Sequence, residues 1–264
     1  MGRVITSLLG LMLFVAPLGG QAAIVGEEVS YTAGGTTMKG YIAYDDSLER
    51  RRPGVLVVHE WWGHNDYARI RARKLARLGY TAMAVDMYGN GQQADHPKQA
   101  GAFASKIRQN LPLMKERFKA AMEILKDHDT VLNNRIAAIG YCFGGAVVLE
   151  MARQGERLKG VVSFHGSLTT QSPARKNQVK AEILVLHGAA DPFTPREQVE
   201  AFKEEMEKAG VKYRFVEYEG AKHAFTNPRA EYLGNKFGIP LAYHAEADEA
   251  SWKEMRRFLD KVLY

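Results

Sequence analysis

One cysteine, Cys142, is all the thiol chemistry that 264 residues contain. No intrachain disulfide can brace the fold, and a multi-thiolate zinc site is excluded. Repeats, low-complexity tracts and linker-like stretches are absent, so a single domain is expected. Beyond the first two dozen residues no apolar run approaches the roughly 20 residues a membrane-spanning helix needs. Charge of one sign is also scarce: 36 Lys and Arg against 30 Asp and Glu leave a formal +6. The densest basic cluster, Arg69 to Arg77, has no interleaved aromatics and no binding motif. With Ile70, Leu75 and Leu78 as its apolar side, it reads as an amphipathic helix whose basic face is solvated. A nucleic-acid partner is therefore not expected.

The N-terminus is different in kind. Arg3 is followed by an apolar stretch from Val4 to Leu18, interrupted by Pro17, and then by small residues to Ala23. This order describes a secretory signal peptide over residues 1–23, cleaved near Ala22 or Ala23, with a single domain over 24–264 exported to the periplasm or secreted. A retained anchor fits less well, because the stretch is short and broken. Nothing in the sequence sets an oligomeric state. Export raises the question of the lone thiol: in an oxidising compartment Cys142 is either buried and inert, or its reactivity is used.

EEVSYTA and KGYIAY alternate like strands around Gly34-Gly35, which predicts an antiparallel hairpin. From Pro53 onward come short continuous apolar runs: PGVLVVHE, YTAMAVD, RIAAIGYC, GVVSFHG, AEILVLHG and YRFVEYE. Strands apolar at every position are covered on both faces, as parallel sheets require. Helical patterns separate most of them, giving an α/β fold of βαβ units. Ligands of such sheets sit at the carboxyl ends of the strands. Each run here is followed by reactive residues: His59-Glu60-Trp61, Asp86-Met87-Tyr88, Cys142-Phe143, His165, His187 to Asp191, and Gly220 to His223.

Gly140-Tyr141-Cys142-Phe143-Gly144 has the G-x-C-x-G form between a strand and a helix, a nucleophile-elbow pattern with sulfur in place of oxygen. Its glycines allow a sharp turn, and the helix N-terminus that follows favours a thiolate. A small, inert cysteine in a tight turn is the competing reading. Elbow nucleophiles on this fold are followed in chain order by an acid and a histidine. Asp191, after the next-to-last strand, and His223, after the last, satisfy that order. His165 reads as a wall residue, and His64, His96, His128 and His244 as solvated. HEWWGH places its histidines five apart around Gly63, so they would not share a helical face, and no metal is expected. Glu60 lies in the loop that supplies an oxyanion N–H in this architecture; a salt bridge to an arginine is the plain alternative for it.

With these motifs the chain resembles the dienelactone hydrolase (carboxymethylenebutenolidase-like) family of α/β-hydrolases. The matching segments are VVHEWWG, VDMYGNG, GYCFGGA, HGAADPFTP and GAKHAFTNP, in that order, and the likeness runs from about Val29 to the C-terminus. It implies an α/β-hydrolase fold: a mostly parallel central sheet, helices on both faces and an antiparallel N-terminal hairpin. It implies a Cys142–His223–Asp191 triad that cleaves a small-molecule ester or lactone through an acyl-thioester, with no metal or organic cofactor. Glu60 would hold the resting thiol unreactive, and the N–H groups of Trp61 and Phe143 would form the oxyanion hole. Family enzymes that act on the anionic dienelactone hold its carboxylate with two arginines. Asn90 and Asn227 stand in those places here, and Arg229 lies two residues further on. Trp62, Tyr88 and Phe225 join Trp61 and Phe143 as candidates for an aromatic substrate pocket. The segment from Gly89 to Asn110 is a candidate loop and helix over the cleft. A non-catalytic ligand-binding protein on a hydrolase scaffold and a thiol-based redox protein are the alternatives. The first lacks degraded machinery to support it, the second a resolving thiol.

Overall fold

The computed structural model describes residues 23–264, so the leader sequence lies almost wholly outside the described residues. Ten-residue strands β1 (Ile24–Ala33) and β2 (Thr36–Asp45) form the expected antiparallel hairpin. Gly34 and Gly35 both have positive φ, as a two-residue primed turn demands. The chain then runs through β3 (Arg52–Val58), α1 (Asp66–Ala76), β4 (Thr81–Val85), α2 (Pro97–Arg108), α3 (Leu111–Asp127), β5 (Val131–Tyr141) and α4 (Phe143–Arg153). It continues through β6 (Gly160–Phe164), β7 (Glu182–Gly188), α5 (Arg196–Ala209), β8 (Tyr213–Tyr218), α6 (Ala230–Phe237) and α7 (Ala245–Leu263). The eight strands make one sheet in the order β1-β2-β4-β3-β5-β6-β7-β8, parallel from β4 to β8.

The unbroken apolar runs follow from covering both faces of this sheet. Leu56, Val58, Met83, Ala138 and Val161 pack on one face under α3, α4 and α5. Their neighbours Val57, Ala84, Ile139 and Val162 pack on the other under α1 and α7. Alternate residues point to opposite faces, so every position of a central strand is core. Burying each of the larger ones, Leu, Val, Ile or Met, is worth about 1.5–3 kcal/mol. Among the described residues, no helix is long and apolar enough to cross a membrane.

Helix α1 corrects one expectation. Ile70 is 52% exposed and Arg71 only 3%, so the cationic cluster is not simply solvated. The buried face is Ala68, Arg71, Ala72, Leu75 and Ala76. The Arg71 guanidinium donates to the Thr226 carbonyl and to Asp248 Oδ1, and lies against the rings of Tyr67, Tyr141 and Trp252. A buried charge needs such partners, and here they tie α1 to α7 and to the loop after β8. His64 is likewise buried rather than solvated, its Nε2 3.1 Å from the Ala84 carbonyl oxygen.

Candidate active site

The elbow is built as its glycines require. A Cβ on Gly140 would run into the Gly144 carbonyl, and one on Gly144 into the carbonyls of Val58 and His59. Only glycine lets β5, α4 and the loop after β3 approach so closely. Between them Cys142 is held at φ 52°, ψ −114°, outside the usual range for a residue with a side chain. The strain turns the thiol out at the carboxyl edge of the sheet, at the start of α4.

Loops from β7 and β8 converge on it. The His223 Nε2–H donates to Cys142 Sγ at 3.1 Å, and its Nδ1–H donates to Asp191 Oδ2 at 2.7 Å. The other Asp191 oxygen accepts the Phe193 N–H at 2.9 Å, which orients the carboxylate. Burial alone would lower the pKa of His223. The adjacent Cys142 sulfur and the Asp191 carboxylate outweigh it and raise that pKa from 6.5 to about 10. The imidazole is therefore held in its charged form beside the sulfur.

Glu60 is 2% exposed in the loop after β3, and burial pushes its pKa up from 4.5 to about 7. Its partner is Asn227, whose Nδ2–H donates to Glu60 Oε2 at 2.6 Å; among the described residues no cation forms an ion pair with it. The loop is pinned by His59, whose Nδ1–H donates to the Glu60 carbonyl at 2.6 Å while Nε2 accepts the Met87 N–H at 3.2 Å. Burial holds His59 down to about pKa 4, so it does this as a neutral ring. The thiol is turned toward His223, and the hydrogen bond that Glu60 receives comes from Asn227.

A cavity of about 380 Å³ opens over the thiol, lined by Trp61, Phe143, Cys142, His223, Phe193 and Leu241 among others. Ala104 and Arg108 of α2 form part of its wall, which puts the expected helix at the cleft. Six residues expected to contact substrate lie off this wall. Tyr88 packs behind it against His59 and Phe143 and donates its hydroxyl to the Trp61 carbonyl at 3.0 Å. Trp62 packs on Trp61 and Phe237, and Phe225 on His165 and Tyr218. Asn227 holds Glu60, exposed Arg229 caps α6, and exposed Asn90 forms a turn whose N–H donates to Thr37 of the hairpin. Sequence reasoning missed Arg108, Phe193 and Leu241 as cleft residues. Arg108 lay within the segment expected over the cleft and Phe193 lies two residues after the acid, whereas Leu241 carried no local signal.

The dienelactone hydrolase family model matches residues 38–263, nearly the whole domain. The chain belongs to the dienelactone hydrolase family. That membership makes it a hydrolase of small-molecule carboxylic esters or lactones. A solved dienelactone hydrolase-like promiscuous phosphotriesterase, P91, from metagenomic libraries is 34% identical, with a TM-score of 0.85 over 92% of this chain and 100% of its own. Protein usf of Aquifex pyrophilus is 28% identical across 78% of this chain and 90% of its own length. A proposed carboxymethylenebutenolidase of Escherichia coli (strain K12) is 29% identical across 88% of this chain and 86% of its own.

Proposed function

We propose that this dienelactone hydrolase relative cleaves its ester or lactone with Cys142 as nucleophile, His223 as acid and base, and Asp191 as the orienting carboxylate. The sulfur attacks the carbonyl carbon, and the negative charge moves to the carbonyl oxygen, met by the N–H groups of Trp61 and Phe143. Collapse breaks the carbon–oxygen bond, and the His223 Nε2 proton goes to the leaving alkoxide. The resulting acyl-thioester is cut by water, whose proton returns to the now neutral His223 as the carbonyl carbon is attacked. Expulsion of the sulfur restores the starting pair. Glu60 gates the thiol at rest, and Asn227 keeps it in place. Asn90 and Asn227 do not take over the arginines' hold on a substrate carboxylate. Arg108 is the one Arg or Lys side chain lining the cavity among the described residues, so any substrate anion is met from α2. The domain works after export, which cell fractionation of the full-length chain would check.

The observation that carries this reading is the hydrogen-bonded line from Asp191 through His223 to Cys142 Sγ on the wall of an aromatic cleft. The purified domain should be tested on matched neutral and anionic esters and lactones, with a phosphotriester added because of the likeness to P91. Cys142→Ala and His223→Ala should each lose about three orders of magnitude or more in kcat on whichever substrates turn over. Turnover no better in the wild type than in both variants across the panel would end this reading.

A further inference from the structure

The mechanism above uses one imidazole, yet a second, His165, lies against both the nucleophile and its base. It stands at the end of β6, 1% exposed, in the left-handed region at φ 40°. Its Nδ1 is 3.1 Å from the Cys142 backbone nitrogen, which also donates to the Phe164 carbonyl at 3.0 Å. Cys142 N–H is a donor, so Nδ1 must carry a lone pair and the ring proton must sit on Nε2. That proton goes to Thr226 Oγ1 at 2.7 Å, and the same hydroxyl lies 2.7 Å from the Tyr67 hydroxyl. The ring stands edge-on to His223, with centroids 5.3 Å apart.

Two features of the site need such a group. Cys142 keeps its strained backbone only if its surroundings over-determine it, and its N–H is one of the few handles available. The imidazolium of His223 also needs an uncharged neighbour. The titratable and charged groups around His165 are His223 from the loop after β8, Arg71 and Tyr67 from α1, Tyr141 from β5 and His187 from β7. Burial first, and then the positive charges among these, hold it well below the ordinary imidazole range.

We propose that His165 is a positioning residue: a neutral imidazole, set in its Nε2–H tautomer by the Cys142 N–H and anchored at Nε2 by Thr226, that holds the Cys142 backbone so that Sγ faces His223. The proposal rests on Cys142 being the reactive thiol of the hydrolase. Its primary readout is the rate of Cys142 alkylation by iodoacetamide as a function of pH. This needs no substrate, so it stays readable even if every ester assay fails. Ester kcat and KM are recorded beside it.

In His165→Leu, alkylation at neutral pH and kcat should both fall about tenfold with KM little changed, the scale of one lost hydrogen bond. His165→Asn offers an acceptor in place of Nδ1, and asparagine tolerates positive φ; it should stay within about threefold of wild type. His165→Gln, whose amide falls nearer Nε2, should behave like the leucine variant. Thr226→Val removes the anchor at Nε2 and should cost about threefold in the same two readouts. If His165→Leu does not fold, the Asn and Gln pair decides: retention in Asn with loss in Gln supports the proposal, and equal behaviour overturns it. A folded His165→Leu with a wild-type alkylation profile and kcat, whatever its melting temperature, also overturns it.

Discussion

Two buried aspartates follow well-separated strands of this sheet, and their hydrogen bonds set them apart. Asp86, after β4, accepts four backbone N–H groups: Tyr88 and Gly89 on one oxygen, Lys39 and Gly91 on the other. Asp191, after β7, accepts one backbone N–H and one imidazole N–H. The first carboxylate is fully committed to folding its own loop onto the hairpin. The second is half free, and the free half charges His223. A carboxylate at a strand end is thus a candidate for chemistry only when one oxygen is left for a titratable partner.

Exchanging each for its amide is the strongest test of that contrast. Asp191→Asn should lower kcat by about a hundredfold or more, because the imidazolium loses its counter-charge. Asp86→Asn should do the reverse: an amide cannot accept four N–H groups, and about 3 kcal/mol of stability should go while activity per folded molecule persists. Assays paired with denaturant titrations would read both. A catalytic loss in Asp86→Asn as deep as in Asp191→Asn would erase the contrast.

Glu60→Gln should raise the rate of Cys142 alkylation in the resting protein by about threefold to tenfold, if a buried carboxyl at this site restrains the thiol by like charge. An unchanged rate would remove Glu60 from that role. The charged pair also predicts a pH dependence of stability. His223 is raised from 6.5 to about 10, so the stability it contributes is complete below pH 6.5 and is lost as the pH rises through about 10. Melting temperature should fall along that limb, and His223→Gln should flatten it. Arg108→Gln is the mildest change, expected to raise KM about threefold for anionic esters and to leave neutral ones unaffected.

Much of the fold could be read from the sequence because the central strands are apolar on both faces. The hairpin was marked by Gly34-Gly35. The inversion on α1 was hidden, since the partners that let Arg71 displace Ile70 from the core come from Thr226, Asp248 and Trp252, far along the chain. The eight-residue α6 is too short to show a clear period. At the site, strand-end position and chain order brought Cys142, Asp191 and His223 forward. The partnership of Asn227 with Glu60 and the tautomer lock on His165 depend on loops meeting across the edge of the sheet, which no local pattern encodes. The aromatic residues expected on the cleft wall divided the same way. Trp61 and Phe143 line it, while Trp62, Tyr88 and Phe225 pack behind it.

In the proposed mechanism the acyl group is transferred to the Cys142 sulfur. Rapid acid quench during turnover of a slow activated ester, followed by peptide mass spectrometry, tests it directly. One acyl group is expected on the peptide bearing Cys142, present in the wild type and absent in Cys142→Ala. An acyl group on another residue, or undiminished turnover in Cys142→Ala, would contradict it.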